Sequence, residues 1–212
     1  MGHRIYIDRD KLHPWLNYKL DLLLKNLEKK QMFIIITGGY RSSGEQAELY
    51  AKGRTQEGSV VTNARPGYSQ HNWGIAVDIA MNHDVDGDKE ITDDTWNKKG
   101  FRVVAKEAKK VGLGWGGDWK TFKDMPHLYL KEWGSTPTKL RKTYGNYETF
   151  QRSWYCKVKK KTNIRKGRSF LSKTLKVVPA GTRMKRLWKS KYGYTKVDYS
   201  GNIGYIRNKN VK

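Results

Sequence analysis

Ser69-Gln-His71-Asn-Trp-Gly74-Ile-Ala76-Val-Asp78, followed further along by Asp124-Met-Pro-His127, is the part of this chain that decides its reading. Ile75 to Ala80 (IAVDIA) reads as a short buried strand, and its one charged residue is Asp78. A carboxylate in such a strand is costly unless it caps, pairs or binds a metal. His71 stands just ahead of the strand, and His127 follows Asp124 and Pro126. Two neutral imidazoles and a carboxylate form a donor set for one Zn²⁺ with a fourth position left to water, which separates a catalytic zinc site from a closed structural one. Asp124 is a spare carboxylate three residues before the last donor, the usual general base of metal-assisted hydrolysis. The other histidines lack this context. His3 and His13 have no partner in register, and His83 belongs to an acidic turn.

The flanking sequence frames these residues. Residues 14–30 place Leu16, Leu20, Leu23, Leu24 and Leu27 at helical spacing, with Pro14 suited to a first turn. Met32 to Thr37 (MFIIIT) reads as a buried strand ended by Gly38-Gly39. Ser42 or Ser43 caps a helix running to about residue 53, with Glu45 in its first turn. Thr95 to Val111 reads as an amphipathic helix with Phe101, Val104, Ala105 and Ala108 inward, and Leu113 to Trp119 (LGWGGDW) as a glycine-rich turn. Asp84-Val-Asp86-Gly-Asp88 looks like half of a calcium loop, but Thr95 stands where the twelfth-position Glu belongs, so a polar turn is the better reading. Residues 134–152 lose all periodicity and read as a linker between a domain over 1–133 and another over 153–212. In the second, short β-like runs (Tyr155–Val158, Leu175–Val178, Met184–Trp188, Tyr194–Tyr199, Gly204–Arg207) and the Ser200-Gly201-Asn202 turn suggest a small barrel. The expected fold class is α+β with an all-β appendage.

Composition sets the outer limits. Hydrophobic residues make up 37% and charged residues 30%, a globular balance. The lone Cys156 rules out an internal disulfide framework and a cysteine-rich zinc site. No run approaches the roughly 18 apolar residues of a membrane span, and the first residues lack the apolar stretch of about 7–15 residues of a secretory signal. The chain is therefore expected to be made and kept in the cytoplasm until something releases it. Its charge is lopsided: residues 1–150 carry 24 Lys+Arg against 19 Asp+Glu, whereas residues 151–212 carry 19 against the single acid Asp198. Such a field attracts polyanions, be they nucleic acid, anionic lipid or anionic wall polymer.

The decisive stretch is similar to a known motif. Ser69 to Asp78 matches the S-x-H-x-x-G-x-A-x-D pattern of the D-alanyl-D-alanine carboxypeptidase and L-alanyl-D-glutamate endopeptidase superfamily, which shares its zinc-binding fold with the hedgehog signalling domain. Asp124-Met-Pro-His127 resembles that superfamily's D-x-P-H motif, and Gly39-Tyr-Arg41-Ser-Ser-Gly-Glu-Gln46 its G-x-R-x-x-x-x-Q segment. The resemblance implies an antiparallel sheet with flanking helices over residues 5–130. It makes His71, Asp78 and His127 the ligands of one Zn²⁺ and Asp124 the catalytic base. Arg41 and Gln46 would face the substrate, with Ser69 beside the metal. A guanidinium at Arg41 suits a developing oxyanion or a substrate carboxylate. Asp124 and Pro126, where D-Ala-D-Ala enzymes tend to carry an E-x-x-H setting, point to the L-alanyl-D-glutamate endopeptidases. One departure stands out: Leu128-Tyr129 follow the last metal histidine, where the family often has an aromatic residue and then Glu or Gln.

Residues 155–212 resemble a bacterial SH3-type domain through Thr162-Asn-Ile-Arg165-Lys-Gly167, Pro179-Ala-Gly181-Thr182 and the closing hairpin Tyr194 to Ile206. In cell-wall enzymes such modules bind peptidoglycan and hold the catalytic domain on it. Trp154, Trp188, Tyr192, Tyr194, Tyr199 and Tyr205 are candidates for an aromatic groove. Together these likenesses imply a monomeric phage-type endolysin, made in the host cytoplasm and released by a holin, with peptidoglycan and anionic wall polymer as partners and no specific nucleic acid. The alternatives are a D-Ala-D-Ala carboxypeptidase and, in another class, a non-catalytic wall- or polyanion-binding protein.

Overall fold

The computed structural model describes residues 2–82, 94–190 and 193–212; His83, the Asp84–Asp88 turn and Tyr192 lie outside the described residues. Two units emerge, one holding residues up to Leu12 and Leu16–Tyr147, the other holding His13–Trp15 and Glu148–Lys212.

The first unit is built on a five-stranded sheet. Arg4–Ile5 is strand β1 and Pro14–Glu28 is helix α1, whose Leu16, Leu20, Leu23 and Leu27 are fully buried at helical spacing. Ile34–Gly38 is β2, and Ser43–Ala51 is α2. The serine signal resolves to Ser42, whose Oγ accepts from Glu45 N while the Glu45 carboxylate accepts from Ser42 N, a reciprocal capping box. Ala76–Met81 is β3, buried along its length except at Asp78. Lys98–Lys110 is α3; it starts later than Thr95 because the Asn97 side chain accepts from Lys99 N and Gly100 N and so fixes the first turn. Gly114–Trp115 is β4 and His127–Tyr129 is β5. The strand order is β1-β2-β3-β5-β4, with α3 against β3 and β4. All pairs are antiparallel except β1 with β2, so the sheet is mixed at one edge. β1, at two residues, is too short to show a period in the sequence.

Residues 134–152, expected as a linker, are largely helical. Thr138–Tyr144 is α4 and Tyr147–Arg152 is α5, with Leu140 and Phe150 buried. One apolar anchor per short helix is too sparse to read as a repeat. Tyr147 closes the first unit, its hydroxyl donating to Lys11 O at 2.8 Å and its ring 4.1 Å from that of Tyr40.

In the second unit Tyr155–Lys157 (β6), Thr162–Arg165 (β7), Thr174–Val178 (β8), Arg183–Lys189 (β9), Tyr194–Tyr199 (β10) and Asn202–Arg207 (β11) pair antiparallel in the order β6-β9-β10-β11-β7-β8. Ser200-Gly201 makes the two-residue turn between β10 and β11, with Tyr199 opposite Asn202. The barrel does not close. Among the described residues β6 and β8 remain the sheet's two edges, and the end of β6 bonds instead to the C-terminal segment, through Val158 opposite Val211 and Lys157 with Lys212. The core is Cys156, Val158, Ile164, Val178, Met184, Val197, Ile206 and Val211. Cys156 is a buried packing residue, its thiol pushed up by burial. Trp154 is likewise buried, so it leaves the expected aromatic groove, while Trp188, Tyr194, Tyr199 and Tyr205 stay half-buried.

Leu20→Ala is expected to cost about 2–5 kcal/mol in urea unfolding. Leu22→Ala on the exposed side of the same helix should stay within about 0.5 kcal/mol. Equal costs for the two would contradict the facing of α1.

Candidate active site

The site assembles where β3 and β5 meet the loop before β3. Gln70–Trp73 is a 3-10 turn capped by Ser69, whose Oγ accepts from His71 N at 3.3 Å. The turn ends at Gly74, in the left-handed region at φ 61°, where a Cβ would lie 2.3 Å from Lys11 O. No other residue type meets both demands. Asn72 then ties the turn to the next segment, its Nδ2 donating to Arg41 O at 2.8 Å and Ser42 O at 3.2 Å. Arg41 N donates back to His71 O at 3.1 Å. Asp78 of β3 stands opposite His127 of β5 in register. Its other neighbour is Gly38 of β2, where a Cβ would crowd Asp78 Oδ2 at 2.8 Å.

Donor atoms of three residues converge, with both Asp78 oxygens engaged. His71 Nε2 lies 3.2 Å from Asp78 Oδ2 and 3.2 Å from His127 Nδ1, and His127 Nδ1 lies 3.1 Å from Asp78 Oδ1. Donors about 2.0–2.1 Å from one tetrahedral Zn²⁺ stand roughly 3.3 Å apart, so the set fits that ion. The tautomers follow from the hydrogen bonds. His71 Nδ1 donates to Gly39 O at 2.7 Å, which leaves Nε2 its lone pair. Gln70 Nε2 donates to Gly134 O at 2.9 Å, so Gln70 Oε1 faces His127 and accepts from its Nε2 at 2.8 Å. His127 therefore turns Nδ1 to the metal position. A hydrogen bond on the far nitrogen is how metal-binding histidines are oriented and made more basic. Here Gln70 supplies it, and the residue after Leu128 is not needed for it.

Charge is arranged to match. Burial pushes the Asp78 carboxyl up, but the charges and hydrogen bonds of His71 and His127 outweigh it and hold it well below the usual carboxylate range. Asp124 moves the other way. Burial raises it and Asp78 adds to the rise, while His127, His71 and Arg41 pull back less strongly. Its Oδ2 lies 3.9 Å from His127 Nδ1, beside the cluster of His71, Asp78 and His127 but not part of it.

These groups line an open cleft of about 930 Å³ that also takes in Arg41 and Ser69, with Tyr68 and Phe122 exposed in its walls. Arg41 Nη1 donates to Gln46 Oε1 at 2.9 Å. Gln46, expected at the substrate, is instead fully buried, with Nε2 donating to Ala64 O at 2.7 Å and Thr62 Oγ1 at 3.3 Å. It holds Arg41 and the 62–64 loop. The two further described histidines are structural: His3 Nε2 donates to Leu24 O, with Nδ1 accepting from Ile34 N, and His13 Nδ1 accepts from Trp15 N. Sequence reasoning missed Gln70. Its place in the motif is a variable position, and its partner Gly134 is remote in sequence.

When bound, zinc supplies a Lewis acid that polarises a carbonyl and acidifies water. Asp124, its carboxyl pushed up by burial and 3.9 Å from His127 Nδ1, would be the group placed to take a proton beside such an ion. Arg41 presents a fixed cation to the anion that forms or binds beside it. A three-donor metal site with a neighbouring carboxylate base in an open cleft is the arrangement of a metallopeptidase.

The comparisons with known proteins agree. A profile described as D-alanyl-D-alanine carboxypeptidase, of the M15 peptidases, matches residues 62–130. The peptidoglycan L-alanyl-D-glutamate endopeptidase CwlK of Bacillus subtilis (strain 168) is 44% identical over 123 residues, covering 56% of this chain and 73% of CwlK. The L-alanyl-D-glutamate peptidase of Listeria phage A118 is 38% identical over 94 residues, 41% of this chain but only 31% of that protein. Among solved structures, the L-Ala D-Glu endopeptidase ChiX of Serratia marcescens matches with a TM-score of 0.41 at 22% identity, over 58% of this chain and 83% of ChiX. The chain belongs to the M15 family of zinc-dependent peptidases.

Gln70→Leu is expected to weaken zinc binding about 10–100-fold. Gln70→Glu, which keeps an acceptor, should retain most of the affinity; competition with a chromogenic chelator reads both. Arg41→Ala removes a cation that favours the Asp124 carboxylate, so the acidic limb of the kcat/KM profile should move to higher pH. A limb that stays put or moves down would contradict the placement of Asp124 beside Arg41.

Proposed function

We propose that this chain is a zinc endopeptidase that hydrolyses the L-Ala–D-Glu bond in the peptide stem of peptidoglycan. The observation that carries the proposal is the convergence of His71, Asp78 and His127 beside Asp124 and Arg41 in one open cleft. The choice of bond is supported by the Asp124-Met-Pro-His127 motif and by the identity with CwlK. In this reading Ser69 and Arg41 contact the substrate, Arg41 through an oxyanion or a stem carboxylate, and Asp124 moves the proton.

In this reading the catalytic part is the unit that runs on to Tyr147, beyond the boundary at 133 expected from the motifs, and the wall-binding part, of SH3 type by its motifs, lies within 153–212. The excess of 19 Lys+Arg over one acid in residues 151–212 supports anionic wall polymer as its partner. Holding the enzyme on an insoluble polymer raises local substrate concentration without any new catalytic contact. The proposed cellular setting is phage-type lysis, by a monomer reaching the wall after holin release; the likeness to the Listeria phage peptidase supports the phage link alone.

Purified wall incubated with the enzyme should yield new N-terminal D-Glu. Released D-Ala with no new D-Glu amine would mean a carboxypeptidase instead. Asp124→Asn should lower kcat by about 10²–10⁴ while the protein still takes up one zinc per chain. Chelation should abolish hydrolysis and added Zn²⁺ restore it; activity indifferent to chelation and to Asp124 would leave only a binding protein.

A further inference from the structure

The register of the second sheet builds a second site. Along β7, β10 and β11, Ile164, Thr195, Val197 and Ile206 are buried and face one way. The alternation of a strand then sends their neighbours to the other face. There Tyr205 stands directly opposite Arg165, and Tyr194 directly opposite Arg207. Tyr205 and Arg207 are two residues apart on one strand, so the four side chains form a checkerboard of cation and ring across three adjacent strands. Lys160 and Lys161, ahead of β7, and Lys209, in the 3-10 turn after β11, complete a cleft of about 430 Å³.

The cleft is uncompensated. Among the described residues no acidic side chain lines it. The single acid of residues 151–212, Asp198, has an oxygen engaged with Gly201 N in the hairpin turn. Of the five cations, Arg165 is braced from below, its Nη1 donating to Ser172 O at 2.8 Å and Thr174 Oγ1 at 3.2 Å, which fixes the guanidinium without neutralising it. Diagonal neighbours on adjacent strands stand about 7–8 Å apart, so Arg165 and Arg207 are spaced for successive charges on a chain rather than for one small anion.

We infer that this cleft binds a linear phosphodiester-linked polyol polymer of the cell wall, its phosphates on Arg165, Arg207 and the flanking lysines and its polyol units over Tyr194 and Tyr205. The choice of wall polymer over nucleic acid rests on the proposed action of the same chain on peptidoglycan. Five positive charges with no carboxylate among them favour a ligand of repeating negative charge over stem peptides, whose carboxylates are few. Arginine's planar fork suits phosphate oxygens two at a time.

The test uses the full zinc-loaded chain and a synthetic glycerol-phosphate oligomer, titrated at several NaCl concentrations. Five contacts predict a slope of log K against log [NaCl] near −3.5, from about −0.7 per phosphate neutralised on a single strand. Arg165→Ala and Arg207→Ala should each reduce that slope by about 0.7. Lys176→Ala, an equal loss of charge on exposed β8 outside the cleft, should leave it nearly unchanged. If Lys176→Ala weakens binding as much as Arg207→Ala, the effect is a general field and the cleft is not a site. Tighter binding of single-stranded DNA with equal phosphate number would reassign the cleft to nucleic acid. Undiminished binding to walls chemically stripped of phosphodiester polymer would reassign it to peptidoglycan. Hydrolysis of a soluble stem peptide, measured in parallel, reports on the proposed activity alone, so failure of either reading is seen separately.

Discussion

An ionised carboxylate inside a buried strand is the constraint on which the rest of the catalytic unit depends. β3 is otherwise apolar, and desolvation alone would drive Asp78 towards its neutral form. His71 and His127 keep it charged, and they can do so only because three separate elements bring them within 3.2 Å. β5 places His127 by register, the capped turn places His71, and Gly38 leaves room for the carboxylate from the other side. With His71 and His127 in the tautomers set by Gly39 and Gln70, two lone pairs and a carboxylate are aimed at one point, where a cation between them relieves the repulsion. The arrangement is therefore costly as protein alone and well suited to a divalent ion, which is the sense in which sequence, packing and cofactor form one argument.

Legibility in the sequence followed locality. α1, β2, α2 and β3 were readable because each carries its own period, cap or apolar run within a few residues. The donors were readable because His71 and Asp78 share one short segment and Asp124 and His127 another. What escaped was set by contacts remote in sequence. Gln70 matters through Gly134, and Gln46 through Ala64 and Thr62, and neither partner shows in the local pattern. Gln46 illustrates the limit well: its chemistry suits a substrate, and only burial shows that it serves Arg41. The second unit shows the same division. Its strands and hairpin announce themselves, whereas closure into a barrel depends on which edge the C-terminal residues occupy, and they bond to β6.

Charge is divided as sharply as structure. In the catalytic unit the decisive charges are few, buried and paired against one another, so their effect is short-ranged and specific. In the second unit they are many, exposed and of one sign, so their effect is long-ranged and weakens with salt. The two sets of charges therefore respond to different variables, the first to local geometry and the second to ionic strength.

The hydrogen bond from Gln70 to Gly134 also settles where a working catalytic fragment can end. Gly134 lies one residue past the boundary suggested by the motifs, and Tyr147 still fastens onto Lys11 and Tyr40 beyond it. A truncation after residue 133 would keep every metal donor yet free the Gln70 amide to rotate and offer His127 the wrong end. Anyone transplanting this peptidase onto a targeting module should carry the chain through Tyr147, because the splice point is decided by an amide's orientation rather than by the last recognisable motif.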